Sequence, residues 1–322
     1  MDYVLFLLSA SVVVGAGVKL SKYGDALAAV SGLGRSFIGI TLIALSTSIP
    51  ELISSIGAIT IVDAPDLAFG NVYGSNMFNM FIIFLLDFYF RKTDVYEGIS
   101  ESNILTALYA ALVTVFSVLG FYIKVYIGHV SLISVIILIL FLYSSYISYK
   151  LPDSDAPEEE NGHGLTLGGV ALRMSIAAFA IILSGLLLSK TADSIAASSG
   201  LGDSFVGSMF LAVVTSLPEA SACYGAIKVG SVNMALGNLF GSNLFNMAII
   251  PVTDAVYSHG PVFEHVSRGH MTAAVFATAA VLIPVIGIRE KHLRIKFGGV
   301  SFHSVAIMVL YAVYSTYIYL VR

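Results

Sequence analysis

The stretch Thr47-Ser48-Ile49-Pro50-Glu51 (TSIPE) lies deep in an apolar run. A near copy, Thr215-Ser216-Leu217-Pro218-Glu219 (TSLPE), lies in another. Proline lacks a backbone N–H, and its ring clashes with the carbonyl four residues back. Those carbonyls belong to Ser46 and Val214, with those of Thr47 and Thr215 one residue on. Unpaired carbonyls are not tolerated against lipid, but they can line a cavity or hold a cation. A glutamate at bilayer depth costs about 2.5–3.5 kcal/mol on insertion scales, and intramembrane acids are usually functional. One such stretch reads as a packing kink with a buried acid. Two at matching positions read as two walls of one site.

The surrounding chain places both stretches in a bilayer. Its 322 residues are 57% hydrophobic and 11% charged, with a mean hydropathy of +0.90. Soluble domains carry roughly 25% charged residues. The net charge of -4 decides little, because in membrane proteins the distribution of charge matters more than its sum. Cys223 is the single cysteine, which excludes an intrachain disulfide and argues against a thiolate metal site. The start, MDYVLFLLSASVVVGAG, has no basic stretch before its apolar run and reads as a retained first span.

Ten apolar segments are long enough to cross a bilayer core, roughly 3–20, 34–60, 67–90, 103–122, 126–149, 165–188, 202–228, 232–257, 268–288 and 297–320. The one long polar stretch, KLPDSDAPEEENGHG, is an acidic solvated linker over 150–164. It lacks the pattern of a calcium-binding loop. The two parts it separates, 1–149 and 165–322, repeat one another. Leu20–Glu51 aligns with Leu188–Glu219 without a gap, identical at 18 of 32 positions. GNVYGSNMFNM (Gly70–Met80) then aligns with GNLFGSNLFNM (Gly237–Met247) at 8 of 11. The repeated motifs thus occupy 44–80 and 212–247. Five spans per repeat is an odd number, so the second repeat enters the membrane inverted. Secondary transporters use that plan, with the substrate site at the midplane between repeats. The expected fold is an all-α polytopic membrane protein of ten transmembrane helices in two inverted five-helix repeats, with helices 2 and 7 broken at the TSxPE motifs. With both termini outside, twelve of the sixteen Lys and Arg residues fall on or near the inside, where such residues concentrate. That topology puts the linker in the cytoplasm and suits a plasma-membrane protein.

Thr47, Glu51 and Ser55 share one helix face, as do Thr215, Glu219 and Cys223. Asn71, Ser75 and Asn79 form a similar row, repeated as Asn238, Ser242 and Asn246. Gly70-xxx-Gly74 and Gly237-xxx-Gly241 run beside these rows, where small residues allow close helix packing. Taken alone, each row could be polar glue between helices. Brought face to face, they offer carboxylates, hydroxyls, side-chain amides and freed carbonyls, all oxygen. Hard cations such as Ca²⁺ take six to eight such ligands. No His or Cys cluster favours zinc or copper. Two glutamates balance one divalent ion, or two monovalent ions or protons, and that exclusion is an electrostatic basis for exchange.

The paired motifs ALSTSIPELISS with GNVYGSNMFN, and AVVTSLPEASA with GNLFGSNLFN, resemble those of the cation/calcium exchanger superfamily, most of all its Na⁺/Ca²⁺ exchanger branch. The resemblance implies that Glu51 and Glu219 coordinate Ca²⁺, aided by Thr47 and Thr215. It implies Na⁺ ligands at Ser48, Ser216, Ser75 and Ser242 and at the carbonyls of Ala44 and Ala212. It also implies sliding of the first and sixth spans as the gating motion. Asn79 and Asn246 complete the candidate ligand set, and Pro50 and Pro218 are the expected helix breaks. The chain departs from the family at Ser46 and Val214, where glycine is common. It departs again at Asn246, where aspartate is frequent, which leaves two acids rather than three.

The expected function is secondary antiport of Ca²⁺ for Na⁺ by alternating access. H⁺/Ca²⁺ or other cation/Ca²⁺ antiport is the alternative, and a cation channel a more distant one. No catalytic constellation is present, so no enzymatic activity or cofactor is expected. The expected partners are the bilayer and the transported cations, with no nucleic acid. Asp87 and Asp254, another aligned pair, are candidate entrance acids, with an interfacial position near water as the alternative. Lys22/Asp25 and Lys190/Asp193 read as structural pairs at span ends.

Overall fold

A computed structural model describes residues 1–151, 166–198, 213–290 and 295–321. Most of the acidic linker, Ala212 and part of the expected seventh span (202–212) lie outside these residues. The described residues form ten main helices: α1 (Asp2–Ser31), α2 (Arg35–Thr60), α3 (Pro65–Tyr89), α4 (Glu101–Leu119), α5 (Leu132–Lys150), α6 (Leu167–Ser198), α7 (Leu217–Lys228), α8 (Val232–Val256), α9 (Gly269–Arg289) and α10 (Phe302–Val321). Among them, all but α7 are long and apolar enough to cross a membrane.

Several expected ends move. α1 and α6 run about three turns past the expected stops, because Lys19, Lys22 and Asp25 interrupt the hydropathy of a segment without breaking a helix. The stop of α1 comes at Gly32, whose φ of 72° is a conformation that glycine accepts readily. Asp25 does not pair with Lys22 as expected; its carboxylate meets Arg35, with Nε at 2.7 Å. The expected fifth and tenth spans each begin several residues early. A two-stranded hairpin occupies that place, Tyr126–Ile127 with Val130–Ser131 (β1, β2) before α5, and Lys296–Phe297 with Val300–Ser301 (β3, β4) before α10.

The helices of the two halves interleave. α8 packs on α2, α4 and α5, while α3 packs on α9 and α10. α3 and α8 are heavily buried and form the centre. At the α2–α8 crossing a Cβ on Gly241 would lie 2.3 Å from the Ile40 carbonyl oxygen, so only glycine allows that approach. Gly74, its counterpart, has nothing within 4 Å of such a Cβ, so the expected close packing beside GxxxG holds in one repeat and not at Gly74. α1 packs against α6 and α7 outside this core. Leu172, Ile176, Phe179 and Leu183 make an exposed apolar stripe along α6, as a lipid-facing surface requires.

The loops gather at two ends. At one end Asp66 bonds Ser267 and His270, and Asp254 bonds Ser131 and Val262. At the other Asp87 bonds Ser301, Lys296 meets Asp94, and Asn233 bonds Ser100. Asp66 and Asp87 sit near opposite ends of the single helix α3, which fixes these groups at opposite poles.

Candidate functional site

The repeated motifs meet at the centre. A Cβ on Gly185 of α6 would lie 3.0 Å from Pro50 Cγ and 3.9 Å from Pro218 Cγ, so both motif prolines flank one point. Their local structures differ. α2 runs through Pro50 without a break, against expectation; its departure from α geometry is a π-helical turn upstream, Gly39–Ile43. The wider turn absorbs a change of helical phase, and Ser46 Oγ donates to the Leu42 carbonyl at 2.6 Å. In the second repeat the helical residues 213–215 are separated from α7 by a turn at Ser216, with Pro218 in the first turn of α7.

Glu51 and Glu219 are 2% and 1% exposed. Ser48 Oγ on α2 donates to Glu219 Oε1 at 3.3 Å, joining one motif to the carboxylate of the other. Thr47 is fully buried; its one hydroxyl proton is shared between the Ala44 carbonyl and the Asn238 side-chain oxygen, both at 3.2 Å, and its oxygen lies 3.3 Å from Ser242 Oγ. Asn71 Nδ2 donates to the Glu51 carbonyl and to Ser55 Oγ. In the same way Asn238 Nδ2 donates to the Glu219 carbonyl and to Cys223 Sγ. Cys223 therefore takes the place of Ser55 in the second repeat.

What these bonds leave unused defines the chemistry. Both carboxylate oxygens of Glu51, Oε2 of Glu219, Oδ1 of Asn79, Oδ1 of Asn246 and Oγ of Ser216 are buried without a hydrogen-bond partner. Buried polar atoms are seldom left so in a folded protein. Six such atoms lie in the repeated motifs, and all are oxygens, the donor type that hard cations take. Among the described residues no group of three or more His, Cys, Asp or Glu side chains could hold a metal. The site therefore has two acids and neutral oxygens.

The remaining candidates divide. Ser75 and Ser242 are buried on α3 and α8. Thr215 is half-buried. The carbonyl of Ala44 is engaged by Thr47, and Ala212 lies outside the described residues. Asp87 and Asp254 are not entrance acids, being 1% and 0% exposed. Asp254 accepts from Ser131 N, Ser134 Oγ and Val262 N at 2.6–2.7 Å. Asp87 accepts from Ser301 N at 2.7 Å. Asp254 thus holds the end of the hairpin and the start of α5, and Asp87 the strand leading into α10, each in the other half. Hydropathy alone puts an acid near a span end at the water surface; the hairpins that fold over these two are invisible to it.

Asn76 and Asn243 escape the sequence reading. They bond across α3 and α8 to each other and to Asn246 and Asn79. Their signal was present, since each is the Asn of an identical GSN triplet in both repeats.

A largely helical membrane protein with two buried carboxylates and unused oxygens in repeated motifs has the makings of a cation carrier. The sodium/calcium exchanger protein family model matches residues 1–151 and 170–320, and the chain belongs to that family. The inner membrane protein YrbG of Escherichia coli (strain K12) is 25% identical, over 80% of each chain. The sodium/calcium exchanger MaX1 of Methanosarcina acetivorans is 24% identical, over 78% of this chain and 81% of that one. Among solved structures, the sodium-calcium exchanger NCX_Mj soaked with 10 mM Na⁺ and zero Ca²⁺ superposes with a TM-score of 0.74 at 20% identity, over 97% of each chain. The same exchanger soaked with zero Na⁺ and Ca²⁺ superposes at 0.65.

Proposed function

We propose that this exchanger carries Ca²⁺ and Na⁺ in opposite directions through one central site by alternating access. The observation that carries the reading is the pair of buried glutamates, one from each motif, beside buried oxygens that no hydrogen bond uses. Their two charges neutralise one Ca²⁺. Na⁺ ions drawn to the same carboxylates and to the hydroxyls of Thr47, Ser48, Thr215, Ser216, Ser75 and Ser242 remove the charge that holds Ca²⁺. Asn79 and Asn246 add neutral oxygens. Competition for one set of ligands makes release of one ion the condition for binding the other.

The two halves, 1–149 and 165–322, stand as inverted repeats, with the acidic linker in the cytoplasm and both termini outside a plasma membrane. α1 and α6 slide over the motif helices to open the site to one side at a time. The nearness of α6 at Gly185 to both motif prolines supports this reading.

The test is ⁴⁵Ca²⁺ uptake into vesicles reconstituted with the purified protein. A Na⁺ gradient is expected to drive uptake, and a pH gradient alone is not. Uptake driven by pH alone would replace Na⁺ with H⁺ as the counter-ion. Uptake down the Ca²⁺ gradient with no dependence on a second cation would mean a channel.

A further inference from the structure

Four asparagines at the α3–α8 contact form one hydrogen-bond network, a reciprocal central pair with one further amide bonded to each member. Asn76 Nδ2 donates to the Asn243 carbonyl at 3.3 Å, and Asn243 Nδ2 donates to the Asn76 carbonyl at 3.2 Å. The side-chain oxygens of this pair then accept. Asn246 Nδ2 donates to Asn76 Oδ1 at 3.1 Å, and Asn79 Nδ2 donates to Asn243 Oδ1 at 3.0 Å. All four side chains are 0–1% exposed.

An amide side chain has two ends of nearly equal shape and opposite polarity. Presented to a cation, the carbonyl end attracts and the NH₂ end repels. Asn76 cannot turn over, because its oxygen would then face the Asn243 carbonyl and its NH₂ would face that of Asn246. Asn243 is held in the same way. Asn246 and Asn79 must therefore spend their N–H groups on this pair, and Oδ1 of each is left buried and unpartnered.

From this we infer that Asn76 and Asn243 are positioning residues for the cation site. They hold the amides of Asn246 and Asn79 with the carbonyl end free for the transported ion. The assignment rests on the antiport reading for the identity of the ion. It adds a reason for neutral side chains at 79 and 246: a carboxylate at either place has no N–H for the oxygen it faces.

The experiment is equilibrium ⁴⁵Ca²⁺ binding to purified wild type, Asn76→Ala, Asn246→Asp and the double variant, with Na⁺-driven uptake measured alongside. Asn76→Ala frees the Asn246 amide to rotate and is expected to weaken Ca²⁺ binding about 10- to 100-fold, the usual effect of losing a partner that orients a ligand. Asn246→Asp alone sets an acceptor against Asn76 Oδ1 and is expected to weaken binding as well. In the double variant the carboxylate carries oxygen at both ends and faces no acceptor, so binding is expected to recover relative to Asn76→Ala. A packing role predicts instead that the two defects add, which would overturn the assignment. So would unchanged binding in Asn76→Ala. If that variant does not fold, Asn246→Asp decides alone, and unchanged or tighter Ca²⁺ binding overturns the assignment. Wild type that binds Ca²⁺ without Na⁺-coupled uptake removes the antiport reading and leaves the binding comparison intact. Wild type that binds no Ca²⁺ removes both.

Discussion

At one pole, Asp66 at the start of α3 accepts from Ser267 N at 2.7 Å, and His270 Nε2 lies 3.1 Å from the same oxygen. At the other, Asn233 at the start of α8 accepts from Ser100 N at 2.8 Å and from Asn103 Nδ2 at 3.1 Å. All three positions correspond by the offset of the repeat: 66 with 233, 100 with 267, 103 with 270. The geometry is shared and the chemistry is not. Asp66 is 55% exposed in its side chain, whereas Asn233 and Asn103 are 4% and 0% exposed. Within these two clamps charge persists where water reaches it and is absent where it does not, as desolvation demands. Between the poles the two motifs keep Glu51/Glu219, the hydroxyls Thr47/Thr215, Ser48/Ser216 and Ser75/Ser242 and the amides of both rows, while Ser46 aligns with Val214 and Ser55 with Cys223. The two clamps changed every side chain but the serine while their bonds survived; the centre changed less.

The sharpest way to break this comparison is at the centre. Glu51→Gln and Glu219→Gln are each expected to abolish Na⁺-driven ⁴⁵Ca²⁺ uptake. Retained transport in one of them would show that the halves are unequal there as well. The next effect separates the poles. Asn233→Ala strands the buried Ser100 N–H and removes the donor to the Gly98 carbonyl, and is expected to lower unfolding stability by about 1–3 kcal/mol. Asp66→Ala loses an exposed pair, for about 1 kcal/mol or less. Equal losses in thermal unfolding in detergent would mean that exposure does not grade the two clamps. A smaller effect follows from chemistry, because imidazole is the side chain that changes charge near neutrality. Asp66→Asn/His270→Asn rebuilds the buried pair at the exposed pole. The shift in melting temperature between about pH 5.5 and 8 is expected to shrink relative to wild type. The smallest effect falls on the moving parts. Gly185→Ala brings a methyl to 3.0 Å from Pro50 and is expected to slow uptake a few-fold while Ca²⁺ binding holds.

Much of this was legible in the sequence. The spans were readable from hydropathy and the duplication from identity, and the glutamates stood out because an acid in an apolar run is costly. What was hidden depends on contacts between distant segments. Asp87 and Asp254 look like surface acids until hairpins from the opposite half close over them. Pro50 looks like a helix breaker, yet α2 continues through it, and the departure from α geometry falls upstream at Gly39–Ile43. Asn76 and Asn243 sat between better-patterned neighbours, since they fall outside the i, i+4 rows that drew attention to Asn79 and Asn246. Only the crossing of α3 with α8 shows their pairing.

The two buried aspartates also bear on how the chain is made. The N-terminal half leaves the ribosome before the residue that holds its last hairpin and the start of α5 has been synthesised, because that residue is Asp254. The C-terminal half in turn depends on Asp87, made long before, to hold the strand leading into α10. Synthesis is sequential, but completion is mutual. Two fragments divided in the acidic linker should therefore mature when produced in the same cell, while the N-terminal fragment alone should remain open to proteolysis at residues 120–131.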